Sequence, residues 1–414
     1  MIRERSQSLA GTRLLFVLAT LDLGGAERQA LLLAQTLRDA CGCEVAVAGL
    51  FGGAGKQAVR RICQEKAIPC LRFSMPEFLP GAGAAREVTA ESVAHFAREL
   101  AFLKPDVVLP YTALPNVLCG LTWRQSGLKA CIWGQRDAGT GEEDLPQWSQ
   151  ATRKVTHFAA NSLAGAEFLE TTCGVLRERL ALIPNGICLA KAKRSRERWR
   201  QEIGAASGDF AAAMIGNIQP LKDHRTLLLA WKQVVTQCPA ILCLAGEMTP
   251  TAKGLQTLAS ELGIGKWVRW LGAVDDVTGL LAAMDLAVFS SVKEGLPNGI
   301  LEPMAAGLAV IATDNTGCRQ ALGETQKPWL AAAGDAPDLA QKVLAMIAAP
   351  ELRQHAGTAN RERAQHAFSV TAMGRAYEQL IRACLHRPLR IGPDRGAAGD
   401  PQPQGPPIPR KSVL

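Results

Sequence analysis

Two apolar patterns alternate along the chain. Short, nearly continuous apolar runs occur at Leu14–Thr20, Glu44–Leu50, Asp106–Tyr111, Ala130–Gly134, His157–Asn161 and Leu180–Pro184. Amphipathic stretches such as Ala26–Arg38, Ala58–Lys66 and Ser92–Leu103 lie between them. Continuous apolar runs read as strands buried on both faces, and stretches with apolar residues three to four apart read as the helices that cover them. The alternation predicts a parallel, doubly wound α/β sheet. The scheme then repeats, with strands expected at Ala211–Gly216, Ile241–Ala245, Trp267–Leu271, Leu286–Ser290 and Ala309–Thr313. Its helices are expected at Asp223–Val235, Thr251–Leu262, Pro297–Ala306 and Pro337–Ile347.

Length agrees with two units, because 414 residues exceed the roughly 250–300 at which a single core stops growing. The expected division is an extension at 1–12, a first domain at 13–190 and a second at 205–368. The basic stretch Lys191–Arg200 falls between them, which puts the hinge near Gly186–Gly208. From Pro388 onward, Pro, Gly, Arg and Gln dominate, and the tail 388–414 is expected to be disordered. Two doubly wound domains would face each other across a cleft at their strand C-terminal ends, where such sheets bind ligands.

Composition narrows the partners. The net charge of +8 suits phosphorylated ligands or peripheral contact with an anionic membrane, and equally a solvated surface. No Lys/Arg run or interleaved aromatic platform points to nucleic acid, so none is expected as a partner. The twelve cysteines contain no C-x-x-C, and the six histidines are scattered. Buried free thiols in a reducing compartment and no metal site are the reading. Leu14–Ala19 behind Arg3 and Arg5 resembles a short signal peptide, but Arg13 opens the run and Asp22 follows it, which suits a buried first strand better. No stretch approaches the length of a membrane-spanning helix, and a cytoplasmic location is expected.

Four strand-to-helix turns carry candidate chemistry. Glu294-Gly-Leu-Pro-Asn-Gly-Ile-Leu-Glu302 follows an apolar strand and opens a helix. Its glycines allow close backbone approach, and a helix start offers unpaired N–H groups to an anion. Glu294 in the turn and Glu302 one to two turns along can face one pocket. The apolar Pro303-Met304-Ala305-Ala306 after Glu302 suggests burial, and a buried carboxylate needs a partner such as a ligand hydroxyl. The alternative is a solvated loop acid and a surface helix acid. Gly216-Asn217-Ile218-Gln219-Pro220-Leu221-Lys222-Asp223-His224 puts Lys222 in a first helical turn, where the dipole disfavours a cation unless an anionic ligand is bound. An exposed Lys222 beside Asp223 is the plainer alternative. Leu23-Gly24-Gly25-Ala26-Glu27-Arg28 has paired glycines at the first turn, without a dinucleotide fingerprint. Trp133-Gly134-Gln135-Arg136-Asp137 offers Arg136 to a phosphate, or to a neighbouring acid. No nucleophile elbow, P-loop or D-x-D triplet occurs.

Together these segments resemble the retaining GT-B glycosyltransferases of family 4. Glu294–Glu302 with Pro303–Gly307 is similar to their E-x7-E motif, Gly216–Lys222 to the phosphate-binding segment, Leu23–Arg28 to the GGAER loop, and Ile183-Pro184-Asn185-Gly186-Ile187 to the IPNGI segment. The resemblance runs from about Arg13 to about His386. It implies two Rossmann-like domains, the second binding a UDP- or GDP-sugar, and a final helix around Thr371–Leu385 (within 369–387) crossing back onto the first. Glu302 would take the ribose hydroxyls. Glu294 would hold donor-sugar hydroxyls or stabilise charge near the anomeric carbon. Lys222 would neutralise the diphosphate, aided by the amides of Asn298, Gly299 and Ile300 and without a metal or other cofactor. Leu271 and Gly272 would lie near the base, with Gly24 and Gly25 approaching the phosphates. The acceptor would be a glycan or a lipid-linked sugar at the inner membrane, in surface polysaccharide synthesis. Asn217 stands where relatives carry Arg, which makes Arg136 the candidate second cation. Gly246-Glu247-Met248-Thr249 departs from the usual G-x-G-P, and the sugar-contacting His of the family has no clear counterpart unless Arg136-Asp137 occupies its place. The rival readings are an epimerase-like enzyme of the same fold and a non-catalytic glycan-binding relative.

Overall fold

The computed structural model describes residues 8–52, 57–75, 88–139, 147–206 and 208–386. The expected tail 388–414 and the first seven residues of the extension lie outside the described residues. The first domain holds β1 (Arg13–Thr20), β2 (Glu44–Phe51), β3 (Cys70–Arg72), β4 (Val107–Pro110), β5 (Ala130–Gln135), β6 (His157–Ala160) and β7 (Leu180–Leu182), in the order β3-β2-β1-β4-β5-β6-β7. The second holds β8 (Phe210–Ile215), β9 (Ala240–Ala245), β10 (Val268–Gly272), β11 (Leu286–Phe289), β12 (Val310–Thr313) and β13 (Leu330–Ala331), in the order β10-β9-β8-β11-β12-β13. Neighbouring strands pair parallel, as between β1 and β4 and between β8 and β11.

Most of the continuous apolar runs became central strands because both faces of each sheet are covered, while Leu180–Pro184 and Trp267–Leu271 supplied the edge strands β7 and β10. Leu15 and Val17 of β1 pack into one cluster, and Leu14, Phe16 and Leu18 into another on the opposite face. The edge strands β3 and β13 have three and two residues, too short to show any period, and the apolar pattern did not predict them.

The chain crosses between domains at two adjoining points. Ile187 bridges to Ser369, and its N–H donates to the Phe368 carbonyl at 2.8 Å. The helix Val370–His386 then lies on the first domain, where Met373, Tyr377, Ile381 and Cys384 join the cluster of Leu14 and Phe16. Cys384 Sγ sits 3.0 Å from His157 Nδ1 there.

The basic stretch expected at the hinge is part of the second domain. Trp199 is buried, and its indole N–H donates to Asp276 at 2.9 Å. Asp276 also accepts the backbone N–H groups of Lys193, Arg194 and Gly279, each at 3.0 Å. Arg194 pairs with Asp275 and Glu202, and Arg200 with Asp285. The positive run is matched by acids far along the sequence, so it docks instead of swinging free.

Candidate active site

In a doubly wound sheet the ligand crevice opens beyond the strand C-terminal ends where the strand order reverses. That point lies between β1 and β4 in the first sheet and between β8 and β11 in the second. Leu23–Arg28 follows β1, Gly216–His224 follows β8, and Glu294–Glu302 follows β11. Topology therefore gathers three motifs that are remote in sequence.

Lys222 ends a short 3-10 turn, Pro220–Lys222. Asp223 then takes a left-handed backbone with φ 43°, and its carboxylate caps the helix His224–Gln237 through the Thr226 N–H at 3.1 Å. The Lys222 Nζ lies 5.0 Å from the centre of the Phe289 ring, at the end of β11. It also donates a hydrogen bond to Glu294 Oε1, and the two side chains are only 20% and 13% exposed. Ser290 Oγ donates to the Lys222 carbonyl and Val292 N–H to the Leu221 carbonyl, both at 2.8 Å, so the two loops are stitched together.

The helix Asn298–Ala306 begins after Pro297 and rests on the end of β8 at Gly299. A Cβ there would lie 2.1 Å from the Ile215 carbonyl oxygen. The Ile300 amide, expected to face an anion, instead donates to the Pro297 carbonyl at 3.0 Å, because the first turn tightens toward 3-10 geometry. The amides of Asn298 and Gly299 have no partner among the described residues. Asn217, Gly246, Leu271 and Gly272 cluster at the ends of β8, β9 and β10. Asn217 Oδ1 accepts the Glu247 N–H at 3.0 Å, and Gly246 N–H donates to the Gly272 carbonyl at 2.8 Å. Gly246 packs so closely that a Cβ would fall 2.0 Å from the Gly216 oxygen. None of these four lines either of the two clefts described next.

The two glutamates face different clefts, not one. Glu294 lines a cleft of about 620 Å³ whose walls include Gly139 and Phe168 of the first domain and Asp314 and Arg319 of the second. Glu302 lines a narrower one of about 210 Å³ with Arg28, Gln29, Lys66 and Asn298. Asn298 reaches between the domains: its Nδ2 donates to the Gly25 carbonyl at 3.3 Å, and its Oδ1 accepts from Asn185 Nδ2 at 2.8 Å and Gln29 Nε2 at 3.4 Å. Burial raises the Glu302 carboxyl above its usual range, with Arg28 pulling the other way. No hydrogen-bond donor meets that carboxylate among the described residues.

Gly24 caps the helix Gly25–Cys41, and its N–H donates to Glu27 Oε2 at 3.0 Å. Arg136 is half-buried. Its guanidinium lies 5.1 Å from the Tyr111 ring centre, its Nη2 donates to Asn185 Oδ1, and its buried Nε has no partner. No carboxylate pairs with it among the described residues. Lys293 Nζ donates to the Gly139 carbonyl and Leu163 N–H to Gln320 Oε1 at 2.8 Å, which adds contacts across the larger cleft. Asn185, Gln29 and Lys293 were not marked as site residues in the sequence, because an amide or amine that bridges two domains leaves no local pattern. Among the described residues no cluster of His, Cys, Asp or Glu could hold a metal ion, and no helix is long and apolar enough to cross a membrane.

Two doubly wound domains thus face each other, with a cation, an acid and a helix start at the strand ends of the second. The family model for glycosyl transferases group 1 matches residues 195–363, and that for Glycosyltransferase Family 4 matches 23–191. Each covers one domain, and the chain belongs to these glycosyltransferases, with the GT-B arrangement of domains. It is 32% identical over 171 residues to the putative glycosyltransferase EpsD of Bacillus subtilis, covering 41% of this chain and 44% of that one. It is 34% identical over 168 residues to the lipopolysaccharide core biosynthesis glycosyltransferase LpsE of Rhizobium meliloti, covering 40% and 48%. The chain thus spans about half the length of these curated relatives. The fold is similar to that of Anabaena HepE, solved with UDP and glucose, at a TM-score of 0.76 and 20% identity over 90% of this chain and 100% of that one.

Proposed function

We propose that the protein transfers a sugar from a UDP- or GDP-sugar to a glycan or lipid-linked acceptor, with retention of anomeric configuration, in the synthesis of a surface polysaccharide. The observation that carries this reading is the Lys222–Glu294 pair at the β8/β11 switch point, beside a helix start whose first two amides have no partner among the described residues. An ammonium has three N–H donors, so Lys222 can keep Glu294 while donating to a diphosphate. As the glycosidic bond breaks, negative charge builds on the diphosphate, and Lys222 with the Asn298 and Gly299 amides opposes it electrostatically. Glu294 holds donor-sugar hydroxyls or faces the positive charge developing at the anomeric carbon. Glu302 takes ribose hydroxyls, which supply the donors its carboxylate lacks. Gly24 and Gly25 allow backbone to come close to the phosphates. Arg136, a half-buried cation that no carboxylate pairs with among the described residues, supplies the second positive charge that Asn217 does not.

The reaction needs no divalent metal in this scheme. A thermal-shift screen over UDP- and GDP-sugars tests the donor, since a ligand bound to the folded state raises its stability. Transfer with the best donor should persist in EDTA, and proton NMR should show the product anomer matching the donor. No shift with any nucleotide sugar would overturn the reading. Net conversion of the nucleotide sugar without acceptor would favour the epimerase-like alternative.

A further inference from the structure

We infer that Asn185, which lines neither cleft, is a positioning residue that registers Arg136 of the first domain against the start of the Asn298–Ala306 helix in the second. The inference rests on the donor-site reading above. A side-chain amide has two acceptor lone pairs and two N–H donors. Asn185 is 4% exposed and uses all four. Its Oδ1 accepts from Arg136 Nη2 and, at 3.4 Å, from Asn161 Nδ2, both in the first domain. Its Nδ2 donates to the Leu296 carbonyl at 3.0 Å and to Asn298 Oδ1 at 2.8 Å, both in the second. The acceptor half faces one domain and the donor half the other.

The amide orientation follows from its neighbours. Turned over, Nδ2 would oppose the Arg136 donor, and Oδ1 would oppose the Leu296 carbonyl. The backbone at this point is held as well. Gln29 Nε2 donates to the Gly186 carbonyl at 2.9 Å, and Gly186 N–H donates to Gln29 Oε1 at 3.1 Å. Arg136 itself has little else to orient it. Its Nε lacks a partner among the described residues, and the ring of Tyr111 offers a face but no direction within the plane. Asn185 is the one hydrogen-bond acceptor for that guanidinium among the described residues. Among the described residues, Asn185 alone links that guanidinium by hydrogen bonds to the start of the Asn298–Ala306 helix.

A side chain that is not an amide loses part of this set. Aspartate keeps the acceptor side but loses both donors and places charge against two oxygens. Leucine has a similar shape and loses all four bonds.

The test uses the full chain, with the UDP- or GDP-sugar that gives the largest thermal shift. Asn185→Asp should lower kcat/KM roughly 30-fold or more, the equivalent of two neutral hydrogen bonds, mainly through kcat. In an Arg136→Met background the same change should cost less than about threefold, because Asn185 acts through Arg136. Costs that multiply independently, or an Asn185→Asp enzyme within threefold of wild type, would overturn the inference. If Asn185→Asp does not fold, Asn185→Ser carries the same cycle. If wild type binds no nucleotide sugar, the donor-site reading fails separately. Small-angle scattering then decides on Asn185 alone: a larger radius of gyration for Asn185→Leu supports the tie between domains, and an unchanged radius refutes it.

Discussion

Replacing Gly299 by alanine should separate stability from activity. The added Cβ would sit 2.1 Å from the Ile215 carbonyl oxygen and 2.7 Å from Phe289 Cε2. Both are fixed parts of the sheet end, so the helix Asn298–Ala306 must yield. Restoring an ordinary 3.4 Å contact demands a shift of about 1.3 Å away from β8. Overpacking of this kind costs about 1–3 kcal/mol, offset by about 1 kcal/mol because alanine favours helix over glycine. The net loss of stability should stay near 0–2 kcal/mol. The same shift carries the open amides of Asn298 and Gly299 away from Lys222, and misplacement by about 1 Å can cost on the order of 100-fold in rate. Urea unfolding followed by tryptophan fluorescence gives the first number, and initial rates with the best nucleotide sugar give the second. An alanine variant with wild-type kcat/KM would refute the placement of this helix start at the reacting diphosphate.

Lys222→Ala should lower kcat by about 100- to 1,000-fold while far-ultraviolet circular dichroism stays unchanged, because the helix cap at Asp223 and the core are untouched. His224 is buried with neither ring nitrogen partnered among the described residues, and burial first, then the Lys222 ammonium, push its imidazole down to about 4 against the pull of Asp223. Between about pH 6.5 and 4 the unfolded chain holds a proton that the folded one lacks, so stability should fall as pH drops through that window, by up to about 3 kcal/mol. His224→Leu should flatten this dependence, and an unfolding midpoint identical at pH 7 and 5 in wild type would contradict it. Burial opposes ionisation of Asp276, but N–H donors from Lys193, Trp199, Gly279 and Arg194 outweigh it and hold the carboxyl below its usual range. Its contribution is therefore present above about pH 4 and lost as pH falls further. Asp276→Ala should cost at least about 3 kcal/mol in urea unfolding and expose Lys193–Glu202 to trypsin.

Much of this molecule is legible in the order of its residues. Apolar runs such as Leu14–Thr20 and Ile241–Ala245 can be satisfied only as strands covered on both faces, so the doubly wound class and its repetition follow from local pattern. The turns bearing Gly24, Lys222 and Glu294 follow too, because glycine, proline and the strand-to-helix change mark them locally. Pairing across the chain does not. That Lys222 meets Glu294, that Asp276 gathers the basic stretch, and that Asn185 divides its amide between domains depend on the order of strands and the closure of two bodies. Ile300 shows the same limit at a smaller scale, since its amide is taken by Pro297 once the first turn tightens. Short-range sequence sets which surfaces must be buried and where the chain must turn. Only the tertiary fold decides which distant charge or amide completes each buried polar group, because that choice is made by proximity in space.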